Sequence, residues 1–131
     1  IFALALYDCE SNGNVIRPNQ PSVVLTEGSN VTLSCNYSGN VRSLQWYRQH
    51  PGSKPENIIF YTESSSQSEP KLRLYAVADK GIKLMNLSIS STQMDDSALY
   101  YCALQPTCKD LRNFLLSKRN ILFFCEIIIY D

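Results

Sequence analysis

Between about residues 20 and 104 the chain reads as a series of short strands separated by turn chemistry, with no convincing helix. Val31, Leu33 and Cys35 alternate with Thr32 and Ser34, and Met85, Leu87 and Ile89 alternate with Asn86, Ser88 and Ser90. That period of two marks strands with one buried face. Residues 22–26 form a β-rich run closing at Glu27-Gly28, and residues 44–49 form another, ended by His50-Pro51-Gly52. Further strands are predicted over 57–61, 71–76 and 98–103, with a Ser-rich loop at 64–68 and a turn at Asp79-Lys80-Gly81. Many short strands at this spacing predict an all-β antiparallel sandwich or barrel.

The ends look unlike the middle. Residues 1–7 are an apolar run similar to the tail of a secretory h-region, so residues 1–16 read as a leader remnant, the alternative being a buried first strand. Residues 121–130 are a second apolar run, but ten residues with a central Glu126 are too short to span a bilayer that needs about 20.

Composition narrows the function. Lys plus Arg and Asp plus Glu are 12 each, so the net charge is zero and the basic footprint of a nucleic-acid binder is missing. At 131 residues the chain has room for about one domain, and 44% hydrophobic residues suit a packed core. Five cysteines suggest an oxidising compartment and leave at least one thiol without a partner inside the chain. The single histidine, His50, lies in a turn, and no metal-ligand spacing, phosphate loop or nucleophile elbow accompanies it. Catalysis, a cofactor and a small-molecule substrate are therefore not expected.

One constellation decides the fold. Cys35 and Cys102 occupy inward positions on predicted strands, and Trp46 is inward on the strand after Cys35. A bond closing that loop would be worth roughly 4 kcal/mol in chain entropy, with the indole packed on the sulfurs between two sheets beside Leu33, Leu87 and Ile89. Tyr100 lies two residues before Cys102, where its hydroxyl can reach backbone a few residues upstream. If Trp46 and Cys102 point inward, Tyr47, Gln49 and Tyr101 point outward from the same sheet and suit a contact with another domain.

These residues, with Thr26-Glu27-Gly28, Trp46-Tyr47-Arg48-Gln49, Pro51-Gly52 and the block from Asp96 to Cys102 running into Ala103-Leu104, resemble a T-cell receptor alpha or delta variable domain of the immunoglobulin superfamily. The resemblance covers about residues 17–104 and implies a V-type Greek-key β-sandwich. It implies that Arg73 pairs with Asp96, and that Tyr47, Gln49 and Tyr101 form the pairing face for a beta-type variable domain, Gln49 bonding its counterpart. It also implies loops that read a peptide–histocompatibility complex, over residues 37–43, 61–67 and beyond Cys102. Tyr37, Ser38, Asn40, Arg42, Thr62, Glu63, Ser65, Leu104 and Gln105 are the candidate contacts. The expected location is the extracellular face of the cell membrane, through a constant region and anchor outside this sequence. An innate immune-type receptor and a homophilic adhesion domain are the alternatives. Asn30, Asn36 and Asn86 begin Asn-x-Ser/Thr triplets, all open to glycosylation in a secretory context.

The resemblance stops near residue 104. The last glycine is Gly81, so the Phe-Gly-x-Gly of a joining segment is absent, and residues 105–131 read as a tail foreign to the family. Read-through of an unrearranged variable segment accounts for this. It predicts a domain with its last strand missing or non-standard, folding marginally, with Cys108 and Cys125 lacking designed partners. A strand over 121–130 would still find a vacant sheet edge beside the Cys102 strand.

Overall fold

The computed structural model describes residues 16–106 and 121–130. Cys9, Cys108 and the leader reading of residues 1–15 lie outside the described residues. Among the described residues ten strands form two five-stranded sheets. They are β1 (Ile16–Pro18), β2 (Ser22–Thr26), β3 (Val31–Tyr37), β4 (Val41–Gln49), β5 (Glu56–Tyr61), β6 (Ser66–Glu69), β7 (Leu74–Asp79), β8 (Leu84–Ile89), β9 (Ala98–Pro106) and β10 (Ile121–Tyr130). The first sheet runs β1-β3-β8-β7-β6 and the second β2-β10-β9-β4-β5. This is a β-sandwich of the immunoglobulin V type.

Alternation builds the core. From the first sheet Leu33, Cys35, Leu74, Ala76, Met85, Leu87 and Ile89 point inward, and from the second Leu44, Trp46, Ile59, Tyr100, Cys102 and Leu104 meet them. Cys35 and Cys102 form a disulfide between the sheets, their Cα atoms 6.6 Å apart. Trp46 is fully buried, and its Nε1 donates to the Tyr61 hydroxyl at 3.4 Å, which donates in turn to the Val77 carbonyl of the opposite sheet at 3.3 Å. Burial raises the Tyr61 pKa.

The chain enters in one sheet and crosses to the other. Ile16 at the head of β1 pairs with Tyr37 of β3 and is buried, so it belongs to the domain. After residues 19–21 the chain resumes as β2 at the edge of the second sheet.

Residues 121–130, set apart above as part of a tail, form the strand expected beside the Cys102 strand, as an internal strand of that sheet rather than its edge. Ile121 to Ile127 pair antiparallel with β9, and Glu126 to Tyr130 pair parallel with β2. Cys125, Ile127 and Ile129 enter the core. The thiol of Cys125 is buried and free, and desolvation raises its pKa.

Several element boundaries differ from the pattern reading. Residues 66–69 form an edge strand against β7 rather than a loop. Its residues are polar and mostly exposed, so no apolar alternation betrays them. The predicted strand over 71–76 begins only at Leu74, because Pro70–Leu72 make a 3-10 turn and Arg73 follows in the left-handed region at φ 59. The loop over 37–43 shrinks to residues 38–40, since Tyr37 closes β3 and residues 41–43 open β4. At the other end of β4, Gly52 takes φ 77 after Pro51 and the Ser53 N–H returns to the His50 carbonyl at 3.0 Å, a turn that needs glycine at its third position.

Candidate functional site

Three places hold the candidate residues: one outer sheet face and the two ends of the sandwich. On the outer face of the second sheet Tyr47 and Tyr101 lie directly opposite each other across β4 and β9. Each is held by a glutamine. The Tyr47 hydroxyl donates to Gln45 Oε1 at 3.0 Å, and the Tyr101 hydroxyl donates to Gln49 Oε1 at 2.6 Å. Gln49 Nε2 donates to the Ser53 carbonyl at 2.9 Å. Gln49 therefore has a bond within its own chain at each end of its amide, where the family resemblance expects a bond to a partner's glutamine.

The same face is apolar toward both edges. Val24 of β2 and Ile128 of β10 are register partners, 59% and 43% exposed, and Phe60 on β5 is 53% exposed. Glu126 is an exposed carboxylate within it. A hollow of 440 Å³ opens at its lower end between the turn from Gln49 to Gly52, Leu99, Glu126 and Ile128. Rigid tyrosine rings fixed by neighbours, with apolar area around them, make a surface that binds at low entropic cost.

At the loop-bearing end, the Tyr37 hydroxyl donates to Glu63 Oε2 at 2.6 Å, and Lys83 Nζ donates to the same oxygen at 3.1 Å and to the Gly39 carbonyl at 3.0 Å. The ammonium also stands 5.6 Å from the centre of the Tyr37 ring. Tyr37 is buried and the Glu63 side chain only 12% exposed, which makes them the fastening beneath the loops rather than loop tips. Burial, then the Glu63 bond, raises the Tyr37 pKa. Ser38, Asn40, Thr62 and Ser65 are exposed around this fastening, with Arg42 half-buried. Thr62 and Ser65 bond each other, hydroxyl to hydroxyl, at 2.9 Å. Leu104 is fully buried in β9, and half-buried Gln105 accepts from Ser43 at 3.2 Å, so neither is a free loop residue.

At the opposite end Asp96 is buried at the close of a 3-10 turn, Met94–Asp96. Arg73 grips it with both terminal guanidinium nitrogens, at 3.0 and 3.1 Å, and donates to the carbonyls of Ser90 and Ser91. The Gln93 N–H donates to Asp96 Oδ2 at 2.9 Å. The Tyr100 hydroxyl donates to the Asp96 carbonyl at 2.8 Å, and burial, reinforced by the Asp96 charge, pushes its pKa up to about 12. Arg48, 4.0 Å from Asp96 and 3.2 Å from Glu56, completes the cluster.

Gln45, Arg48 and Lys83 are the residues that sequence reasoning passed over. Gln45 shares the outward parity of Tyr47 and Gln49, and Arg48 the inward parity of Trp46, so both were within reach of the alternation. Lys83 joins Glu63 only through the fold, and no local pattern marks it. Among the described residues no group of three or more His, Cys, Asp or Glu could hold a metal ion, and no helix is long and apolar enough to cross a membrane.

Comparison with known families gives a match to the immunoglobulin V-set domain over residues 18–115. The chain belongs to the immunoglobulin V-set family. As a V-set domain it is a non-enzymatic immunoglobulin module. It is homologous to T-cell receptor alpha and delta variable regions. Human T cell receptor alpha variable 22 is 37% identical over 97 residues, which covers 74% of this chain and 86% of that protein. Human T cell receptor alpha variable 36/delta variable 7 is 38% identical over 106 residues, covering 80% and 91%. The mouse T-cell receptor alpha chain V region CTL-F3 is 33% identical over 105 residues, covering 79% of each. The V-set match extends beyond Leu104, where the resemblance read from the sequence ended.

Proposed function

We propose that this V-set domain is the antigen-recognition domain of a T-cell receptor alpha-type chain. It pairs through the outer face of its second sheet with a beta-type variable domain, and the loops around Ser38, Asn40, Thr62 and Ser65 read a peptide on a histocompatibility molecule. Its place is the outer side of the cell membrane, which suits a domain closed by the Cys35–Cys102 disulfide. The observation that carries this reading is the makeup of that outer face: Tyr47 and Tyr101 are fixed by Gln45 and Gln49, and exposed apolar side chains flank them from Val24 to Phe60. Homology to alpha and delta variable regions supports the same reading.

Co-expression with a panel of beta-type variable domains tests it. The wild-type chain is expected to give a one-to-one heterodimer in sedimentation. Tyr101→Asp places an unpaired carboxylate at the centre of the contact and is expected to weaken pairing at least tenfold. Because Tyr101 is on an outer face, the isolated variant should unfold near the wild-type temperature. Self-association with no binding to any beta-type domain would instead select the homophilic adhesion reading.

A further inference from the structure

The outer face of the first sheet has the opposite character. Down β3 its outward residues are Thr32, Ser34 and Asn36, and down β8 they are Asn86 and Ser88. Thr32 and Ser88 bond through their hydroxyls at 3.0 Å, and the Ser34 hydroxyl donates to Asn86 Oδ1 at 2.6 Å. The three Asn-x-Ser/Thr triplets lie on this face or its rim, in unlike settings.

Asn36 is exposed near the end of β3, opposite Arg17 of β1 and Leu84 of β8. Asn30 is exposed just before β3, and the Ser91 N–H donates to its Oδ1 at 2.8 Å. That bond occupies Oδ1 and not Nδ2, the atom that takes a sugar. Asn86 is half-buried in the middle of the sheet, with Ser34 beside it on β3 and Val77 beside it on β7. A sugar on its Nδ2 would stand over strands only about 4.8 Å to either side. Asn36 is also its diagonal neighbour across β3 and β8, at a separation of about 7–8 Å. Two branched oligosaccharides rising from those positions would crowd each other.

We propose that the folded chain carries N-linked oligosaccharide at Asn30 and Asn36 and none at Asn86, which closes the first sheet's outer face to protein partners and leaves the second sheet's face as the docking surface. The donor is a lipid-pyrophosphate-linked oligosaccharide. The bond from sugar C1 to the pyrophosphate oxygen breaks, the bond from C1 to Nδ2 forms, Nδ2 gives up one proton, and the lipid pyrophosphate leaves. The Oδ1 acceptor that holds the Ser91 N–H survives this change. The inference rests on the reading that the chain enters the secretory pathway.

The test is secretion of the full chain from mammalian cells behind a cleavable leader, with a C-terminal peptide bearing an independent acceptor triplet to monitor translocation. Enzymatic deglycosylation in heavy-oxygen water marks each occupied asparagine for mass spectrometry. Asn30 and Asn36 are expected to be marked in the secreted protein and Asn86 unmarked. Asn30→Gln and Asn36→Gln should each remove one oligosaccharide, and Asn86→Gln none. A marked monitor with Asn30 or Asn36 bare, or with sugar on Asn86, overturns the proposal. A bare monitor, with the same leader and monitor glycosylated on a control secreted domain, means that this chain does not translocate and overturns the secretory reading beneath the proposal.

Discussion

Ending the chain at Asn120 is expected to abolish its cooperative unfolding transition. The truncation removes β10, which lies between β9 and β2 and is paired to both. Ile127 and Ile129 are buried to within 3% of full coverage, and at about 1.5–3 kcal/mol for each buried side chain their loss costs roughly 3–6 kcal/mol. A domain of this kind has only about 5–15 kcal/mol in total. The deletion also strips the pairing edge of β9 and leaves β2 with no neighbour in its sheet, inviting aggregation. Thermal unfolding followed by near-ultraviolet circular dichroism checks this, with Ile128→Ser as control. Ile128 lies on the same strand but outside the core, so its replacement should shift stability by no more than about 0.5 kcal/mol. Full chain and control should melt sharply and the truncated chain should show no transition. An equally sharp melt after truncation would mean that β10 adds nothing to the fold.

Asp96→Ala should be the most damaging single substitution at the lower end of the sandwich. Its carboxylate neutralises Arg73 and faces Arg48, whose side chains are 25% and 12% exposed. Removing one partner of such a buried pair costs about 3–5 kcal/mol, because the remaining charge is left without compensation. Arg73 is also held in a left-handed conformation that the Asp96, Ser90 and Ser91 bonds secure. Tyr100→Phe, which loses only the hydroxyl bond to the Asp96 carbonyl, should cost about 1 kcal/mol. Urea midpoints of the two variants measure the difference. Equal, small losses would show that the ion pair is a solvated surface contact.

The two-sheet plan was legible because its deciding residues sit on strands with clean alternation. Leu33 with Cys35 and Leu87 with Ile89 show their buried faces in sequence, and Trp46, Tyr100 and Cys102 follow at spacings set by the sandwich. The outward positions Tyr47, Gln49 and Tyr101 came from the same parity. Three kinds of feature were hidden, wholly or in part. Strand β6 is polar throughout, so nothing in its pattern separates it from a loop. The break at Arg73 depends on bonds to Ser90, Ser91 and Asp96 made only after folding. Strand β10 was legible in part: its apolar run and the vacant edge beside the Cys102 strand predict the pairing with β9, but a run lacking the glycines of a joining segment gave no sign of the parallel pairing with β2. The fastening of Tyr37 and Glu63 by Lys83 shows the same limit, since it gathers three loops distant in sequence.

The orientation of every face rests on the bridge beneath Trp46, and a peptide map of the oxidised, unreduced protein measures it directly. Fragments carrying Cys35 and Cys102 should emerge linked, with Cys125 recovered as a thiol once the protein is unfolded. Cys102 joined to Cys125, or Cys35 recovered free, would contradict the sandwich, the assignment of its two outer faces and the receptor role built on them.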